Sequence, residues 1–165
     1  RLIINPKKVL RGYVKEGMVV LEFGCGPGLF TPEIVRTVGK TGKVIAADLQ
    51  IGMLQKVRNK IEGTGLEELV MLHKCEKNSI GVAGKVDSIL AFCVMHELTD
   101  KKKALSEMKS LLKPNGRLYI MEQFVHPPKK DFEDTINTAL QVGFRTVEKP
   151  KVFGHRAMVF EVGAS

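Results

Sequence analysis

Tryptophan is absent from the 165 residues and aromatic residues make up only 6%. No basic run has the interleaved aromatics on which single-stranded nucleic acid stacks. Cysteine is scarce: Cys25, Cys75 and Cys93 form no CxxC pair, which excludes a zinc ribbon and a dithiol redox motif. An odd, sparse count fits reduced thiols and a cytoplasmic location. No stretch approaches the roughly 18–20 apolar residues of a membrane span. Arg1-Leu2-Ile3-Ile4-Asn5 has no basic segment followed by an apolar one, so no signal peptide is expected. Acidic residues are in deficit, 18 against 26 Lys and Arg, leaving a net charge of +8. That excess lies in short clusters such as Lys101-Lys102-Lys103 and reads first as solvated helix ends and loops, with RNA the less favoured partner. The remainder, 44% hydrophobic and 27% charged, is a globular composition that rules out disorder, collagen and coiled coil. Residues 1–165 are expected to form one domain, since single cores commonly serve about 100–200 residues.

Short apolar runs at 19–23, 44–47, 69–72, 88–92 and 118–121 read as strands buried on both faces. Between them lie helical stripes: Ile34, Val35 and Val38; Leu54, Val57 and Ile61; Ala104, Leu105, Met108, Leu111 and Leu112; Phe132, Ile136, Ala139 and Leu140. Thr99-Asp100 supplies a start signal for the third stripe and Lys113-Pro114-Asn115-Gly116 a stop. Segments 144–147 and 157–162 follow with a short link, which forces an antiparallel pair because a parallel return needs a crossover. Asn5-Pro6 caps a short helix in the N-terminal segment 1–18. The fold class is therefore α/β, a three-layer, mostly parallel sheet of seven strands closed by an antiparallel hairpin.

The first strand runs directly into Gly24-Cys25-Gly26-Pro27-Gly28. Glycines at alternate positions let the backbone turn tightly and approach a ligand closely. A dinucleotide fingerprint needs a glycine at 29, where Leu29 stands, and no Gly-Lys-Ser/Thr of a phosphate loop is present. Asp48 ends the second strand, where a carboxylate can accept hydrogen bonds from both hydroxyls of a ribose.

LEFGCGPG at 21–28 resembles the first motif of class I S-adenosylmethionine-dependent methyltransferases, an acidic residue followed by G-x-G-x-G. The likeness continues in order through AADLQIGML (46–54), VDSILAFCVMHEL (86–98) and LLKPNGRLYIMEQ (111–123), and it is nearest to the ubiquinone/menaquinone-biosynthesis C-methyltransferases. It implies a Rossmann-like sheet of order 3-2-1-4-5-7-6 that binds S-adenosyl-L-methionine and releases S-adenosyl-L-homocysteine. It also implies roles by position. Glu22, Gly24 and Gly26 line the methionine moiety, with Cys25 and Gly28 completing the loop. Asp48 holds the ribose, while Leu49 and Met53 pack about the adenosine. Glu76 meets the adenine amino group, at a place where relatives more often carry Asp after Gly. Cys93 offers its main-chain carbonyl to the amine.

Methyl transfer needs alignment more than a reactive side chain, so an indispensable catalytic residue is not required. A general base helps when the acceptor is a weak acid, and His96, after the fourth strand, is the candidate, with His126 behind it. Glu97, Tyr13 and Phe124 are wall candidates. No N/D-P-P-Y/F follows the fourth strand, which argues against adenine and glutamine-amide acceptors, and no cluster has metal-ligand spacing. The expected acceptor is small and mostly apolar. An RNA- or protein-directed enzyme and a non-catalytic nucleoside-binding module stay open. No longer cap precedes the first strand, so the acceptor side is expected to be shallow or completed by a partner, a second subunit or upstream residues.

Overall fold

A computed structural model describes residues 4–163; residues 1–3 of the expected N-terminal segment lie outside it. The helices are α1 (Pro6–Leu10), α2 (Thr31–Val38), α3 (Ile51–Ile61), α4 (Lys101–Leu111) and α5 (Lys129–Gln141). The strands are β1 (Val19–Phe23), β2 (Lys43–Asp48), β3 (Val70–Lys74), β4 (Val86–Phe92), β5 (Leu112–Gln123), β6 (Phe144–Glu148) and β7 (His155–Val162). They form one sheet in the order β3-β2-β1-β4-β5-β7-β6, as the motif series implied. Strands β1–β5 pair in parallel and β7 runs antiparallel to β5 and β6.

Alternation along β1 divides the core in two. Leu21 and Phe23 face Leu105, Met108 and Phe132 of α4 and α5. Val20 faces Ile34, Val35 and Val38 of α2 together with Leu10 of α1. A smaller cluster seats Leu54 and Val57 of α3 on Ala46 and Cys25. Helices cover both faces, and ligands of such sheets bind at the carboxyl edge of the parallel strands, where Gly24, Leu49, Cys75, Cys93 and Phe124 begin the outgoing loops.

Capping follows the sequence. Asp100 accepts from Lys103 N at 2.9 Å and starts α4, and Asn5 accepts from Lys8 N at 3.2 Å and starts α1. Three details differ from expectation. β3 has no fully buried residue, because it is the sheet edge and has a strand on one side only. Leu112 does not extend the α4 stripe; it opens β5 and pairs with Val86 across a register shift. Leu140 is exposed rather than part of the α5 core face, which Phe132 and Ala139 supply.

Candidate active site

The glycine loop is folded over the end of β2. Gly24 N and Cys25 N both donate to Ala47 O, at 2.8 and 3.0 Å, and Gly28 N donates to Cys25 O at 3.1 Å. All three glycines hold positive φ, +68° at Gly24, +53° at Gly26 and +76° at Gly28. Their reasons for being glycine differ. A Cβ on Gly24 would stand 2.3 Å from Val94 Cγ2, and one on Gly28 would stand 3.1 Å from Val57 Cγ2. These two positions serve packing between neighbouring loops and helices. A Cβ on Gly26 would meet nothing within 4 Å. Gly26 therefore presents bare backbone to open space, as a ligand cradle requires.

Asp48, almost fully buried at the tip of β2, ties this cradle to the next loop. Its Oδ2 accepts from Gly26 N at 2.9 Å and its Oδ1 from Gln50 N at 2.8 Å. Each carboxylate oxygen keeps acceptor capacity beyond one such bond, so both can still take a hydroxyl. Lys60, the penultimate residue of α3, donates to Pro27 O at 2.9 Å and Gly28 O at 2.7 Å and pins the loop from the other side.

Glu22 stands behind the loop. It is 4% exposed and accepts from Thr31 Oγ1 at 2.6 Å. Burial pushes its carboxyl up to about 8, against the pull of Thr31 and of the Lys60 charge. A cation brought close would favour its ionised form, which suits a site for an ammonium.

A cavity of about 180 Å³ opens beside the cradle, between the tips of β1 and β2, residues 75–80 after β3, and the start of α4. Gly24, Asp48, Leu49 and Glu76 line it; Glu22, Cys25, Gly26, Gly28, Met53, Cys93 and His96 do not. Its outer wall is held firmly. Glu107 of α4 accepts from Ile80 N at 2.7 Å, and His73 Nε2 lies 2.7 Å from Ile80 O. Cys93 sits just after β4 with φ +55°, its N–H donated to Met121 O at 2.7 Å, and the thiol is pushed up to about 11 by burial. Cys25 and Cys75 are buried and, like Cys93, unpaired.

Two strand tips along, His96 Nδ1 lies 2.9 Å from Glu122 Oε2, and His96 N donates to Glu122 Oε1 at 3.3 Å. The Glu122 side chain is 1% exposed. Burial raises its carboxyl, and the neighbouring imidazole opposes that shift. An ionised Glu122 takes the Nδ1 proton as its hydrogen bond, which leaves Nε2 free to accept another. His126 packs edge-on against the His96 ring, centroids 4.9 Å apart. Tyr13 lies elsewhere, against Tyr119 on the α1–α2 side of the sheet.

The sheet order and the sequence match a known family. The profile described as methyltransferase domain covers residues 14–143. The chain belongs to the methyltransferase domain family. Among curated members it is similar to the ubiquinone/menaquinone biosynthesis C-methyltransferase UbiE of Klebsiella pneumoniae, 34% identical over 110 residues that cover 66% of this chain and 44% of that protein. The UbiE of Haemophilus ducreyi is 33% identical over the same share of this chain and 42% of its own. The chain thus spans less than half the length of these curated relatives. Among solved structures, a SAM dependent methyltransferase from Aquifex aeolicus superposes with a TM-score of 0.84 at 30% identity, covering 95% of this chain and 89% of that one. The class I resemblance read from the four motifs is borne out by these methyltransferase matches.

Glu122, Lys60 and Thr31 escaped the sequence reading. Glu122 carried a signal, an acid directly at the end of the apolar run 118–121. Lys60 and Thr31 carried none that separates them from surface and capping residues.

Proposed function

We propose that this methyltransferase moves a methyl group from S-adenosyl-L-methionine to a small, mostly apolar acceptor, with the described residues working as one catalytic unit. The observation that carries the reading is the open Gly26 backbone held by the Asp48 carboxylate beside a cavity, with the His96–Glu122 pair at the adjoining strand tips. The bound donor supplies an electrophilic methyl on a positively charged sulfur. The chain does the rest. Asp48 holds the ribose hydroxyls, Leu49 packs on the adenosine, and Glu76 faces the adenine from the far wall. Glu22, behind the loop, gives the ammonium a carboxylate that its presence keeps ionised. Phe23, Val94 and Leu98 on the cavity wall exclude water from a reaction that consumes charge. His96, turned by Glu122, would receive the acceptor's proton at Nε2 as the acceptor's electron pair forms the bond to the methyl carbon, while the methyl–sulfur bond breaks, its pair stays on sulfur and S-adenosylhomocysteine leaves neutral at that atom.

Calorimetry with S-adenosylhomocysteine tests the donor half, and no heat at millimolar ligand overturns it. Transfer of labelled methyl from S-adenosylmethionine to a panel of phenolic and enolic acceptors tests the rest. Binding without transfer to any acceptor favours a nucleoside-binding module. A net charge of +8 supports the second reading, an RNA-directed enzyme, which requires RNA affinity that falls steeply with salt.

A further inference from the structure

The carboxyl edge carries a second feature that methyl transfer does not use. Beyond β5 the chain presents Phe124 and Val125, and the β6–β7 loop presents Phe153. Val125 is 86% exposed, Phe153 85% and Phe124 52%. β7 starts opposite the end of β5, His155 against Gln123, so the two loop tips sit side by side. They are locked together. Phe124 N donates to Gly154 O at 2.9 Å. Arg156 donates to Gln123 O, Pro127 O and Phe124 O at 3.1, 3.0 and 2.8 Å, and its guanidinium lies 5.3 Å over the Phe124 ring. Rigid loops that hold large apolar side chains out in water mark a contact surface.

Basic residues stand in and beside the two loops, as a collar for the tip. Lys149 and Lys151 flank Pro150 on one side, and Lys129 and Lys130 open α5 on the other, all four exposed. Lys129 reaches Glu133 at 3.2 Å; Lys130, Lys149 and Lys151 have no carboxylate within 4 Å among the described residues. Asp131, the acid next to Lys130, is engaged with Lys101 at 2.7 Å. Apolar side chains at a tip ringed by unpaired lysines match the layering of an anionic bilayer, with headgroup phosphates outside and acyl chains beneath. RNA fits less well. Val125 offers no stacking face, and one face of Phe124 is already covered by Arg156.

We propose that the Phe124, Val125 and Phe153 tip with its lysine collar docks on an anionic phospholipid surface, turning the carboxyl edge of the sheet toward the bilayer. The inference goes beyond the methyl-transfer reading and does not rest on it, because its readout is lipid binding. The test is co-sedimentation of the full chain with phosphatidylcholine vesicles, with and without phosphatidylglycerol, at low and high salt. The expected result is binding to the anionic vesicles at low salt that weakens on neutral vesicles or at high salt. The Val125→Ser/Phe153→Ser variant and, separately, Lys149→Gln/Lys151→Gln should each bind about tenfold more weakly or worse. Lys40→Gln/Lys43→Gln, the same charge change at the amino edge of β2, should bind as the parent does. Circular dichroism checks that each variant is folded, and either tip variant alone suffices. No binding to anionic vesicles overturns the proposal, as does equal loss in the Lys40/Lys43 control. So does a concentration-dependent dimer that Val125→Ser/Phe153→Ser abolishes, or binding to poly(U) that out-competes the vesicles.

Discussion

Asp48 and Glu122 are the two side chains on which the site turns, and they act differently. Asp48 has both oxygens committed to backbone N–H groups, so removing it loosens the Gly26 cradle and removes the ribose acceptor together. Asp48→Ala is expected to weaken S-adenosylhomocysteine by more than tenfold, since each hydrogen bond to a charged group contributes about 1.5–3 kcal/mol. Unchanged affinity in calorimetry would mean that the ribose is held elsewhere. Glu122 instead acts through His96. Glu122→Gln leaves the analogue's affinity unchanged while turnover falls about tenfold to hundredfold, and Glu122→Asp falls between. His96→Gln should cost about a hundredfold. A His96→Gln rate within experimental error of the parent's would show that alignment alone suffices. The Asp48 contribution was legible because strand, glycines and acid follow one another at short range. The Glu122–His96 contact spans 26 residues and two strand tips, and nothing local in the sequence joins them.

The glycine loop shows at the scale of an element what a motif does and does not say. Three alternate glycines announce a tight turn, yet only Gly26 faces open space, whereas Gly24 is held by Val94, seventy residues away in sequence. The two positions can be separated. Gly24→Ala combines a left-handed alanine with overlap against Val94 and should cost about 2–5 kcal/mol of stability by chemical denaturation. Gly26→Ala carries only the backbone penalty, about 1–2 kcal/mol, but puts a methyl where a ligand would approach, so analogue binding weakens more than stability does. Equal stability losses, with Gly26→Ala binding like the parent, would place the ligand off this loop. The helices and the closing hairpin were readable because caps, periodicity and the crossover requirement are local or topological, whereas the strand order came only with the family likeness. The half-burial of β3 was not, since it depends on which strand ends the sheet, and Leu112 joined β5 because Val86 offers it a ladder that one more helical turn would forgo.

For the molecule as a whole, the two buried acids set how stability responds to pH. Glu22 is held near 8 and Glu122 is also raised, both first of all by burial. A carboxyl whose folded value exceeds its unfolded one binds more protons when folded, so its contribution is complete below about 4.5 and is lost as pH rises toward 8. Glu67, shifted the other way on the surface, acts below that window. The buried cysteines and tyrosines are raised from values of 9.0 and 10.0, so they act above it. The ligand-free protein should therefore lose melting temperature between pH 5 and 8, with Glu22 responsible for up to a few kcal/mol. In Glu22→Gln the slope flattens and the variant overtakes the parent at pH 8. A ligand that brings a cation to Glu22 expels its proton, so S-adenosylhomocysteine should release protons on binding at pH 7. Calorimetry in buffers of different ionisation enthalpy reads that release. Parent and Glu22→Gln melting curves with the same pH slope would mean that Glu22 is already ionised in the folded chain, and the proton release should then be missing as well.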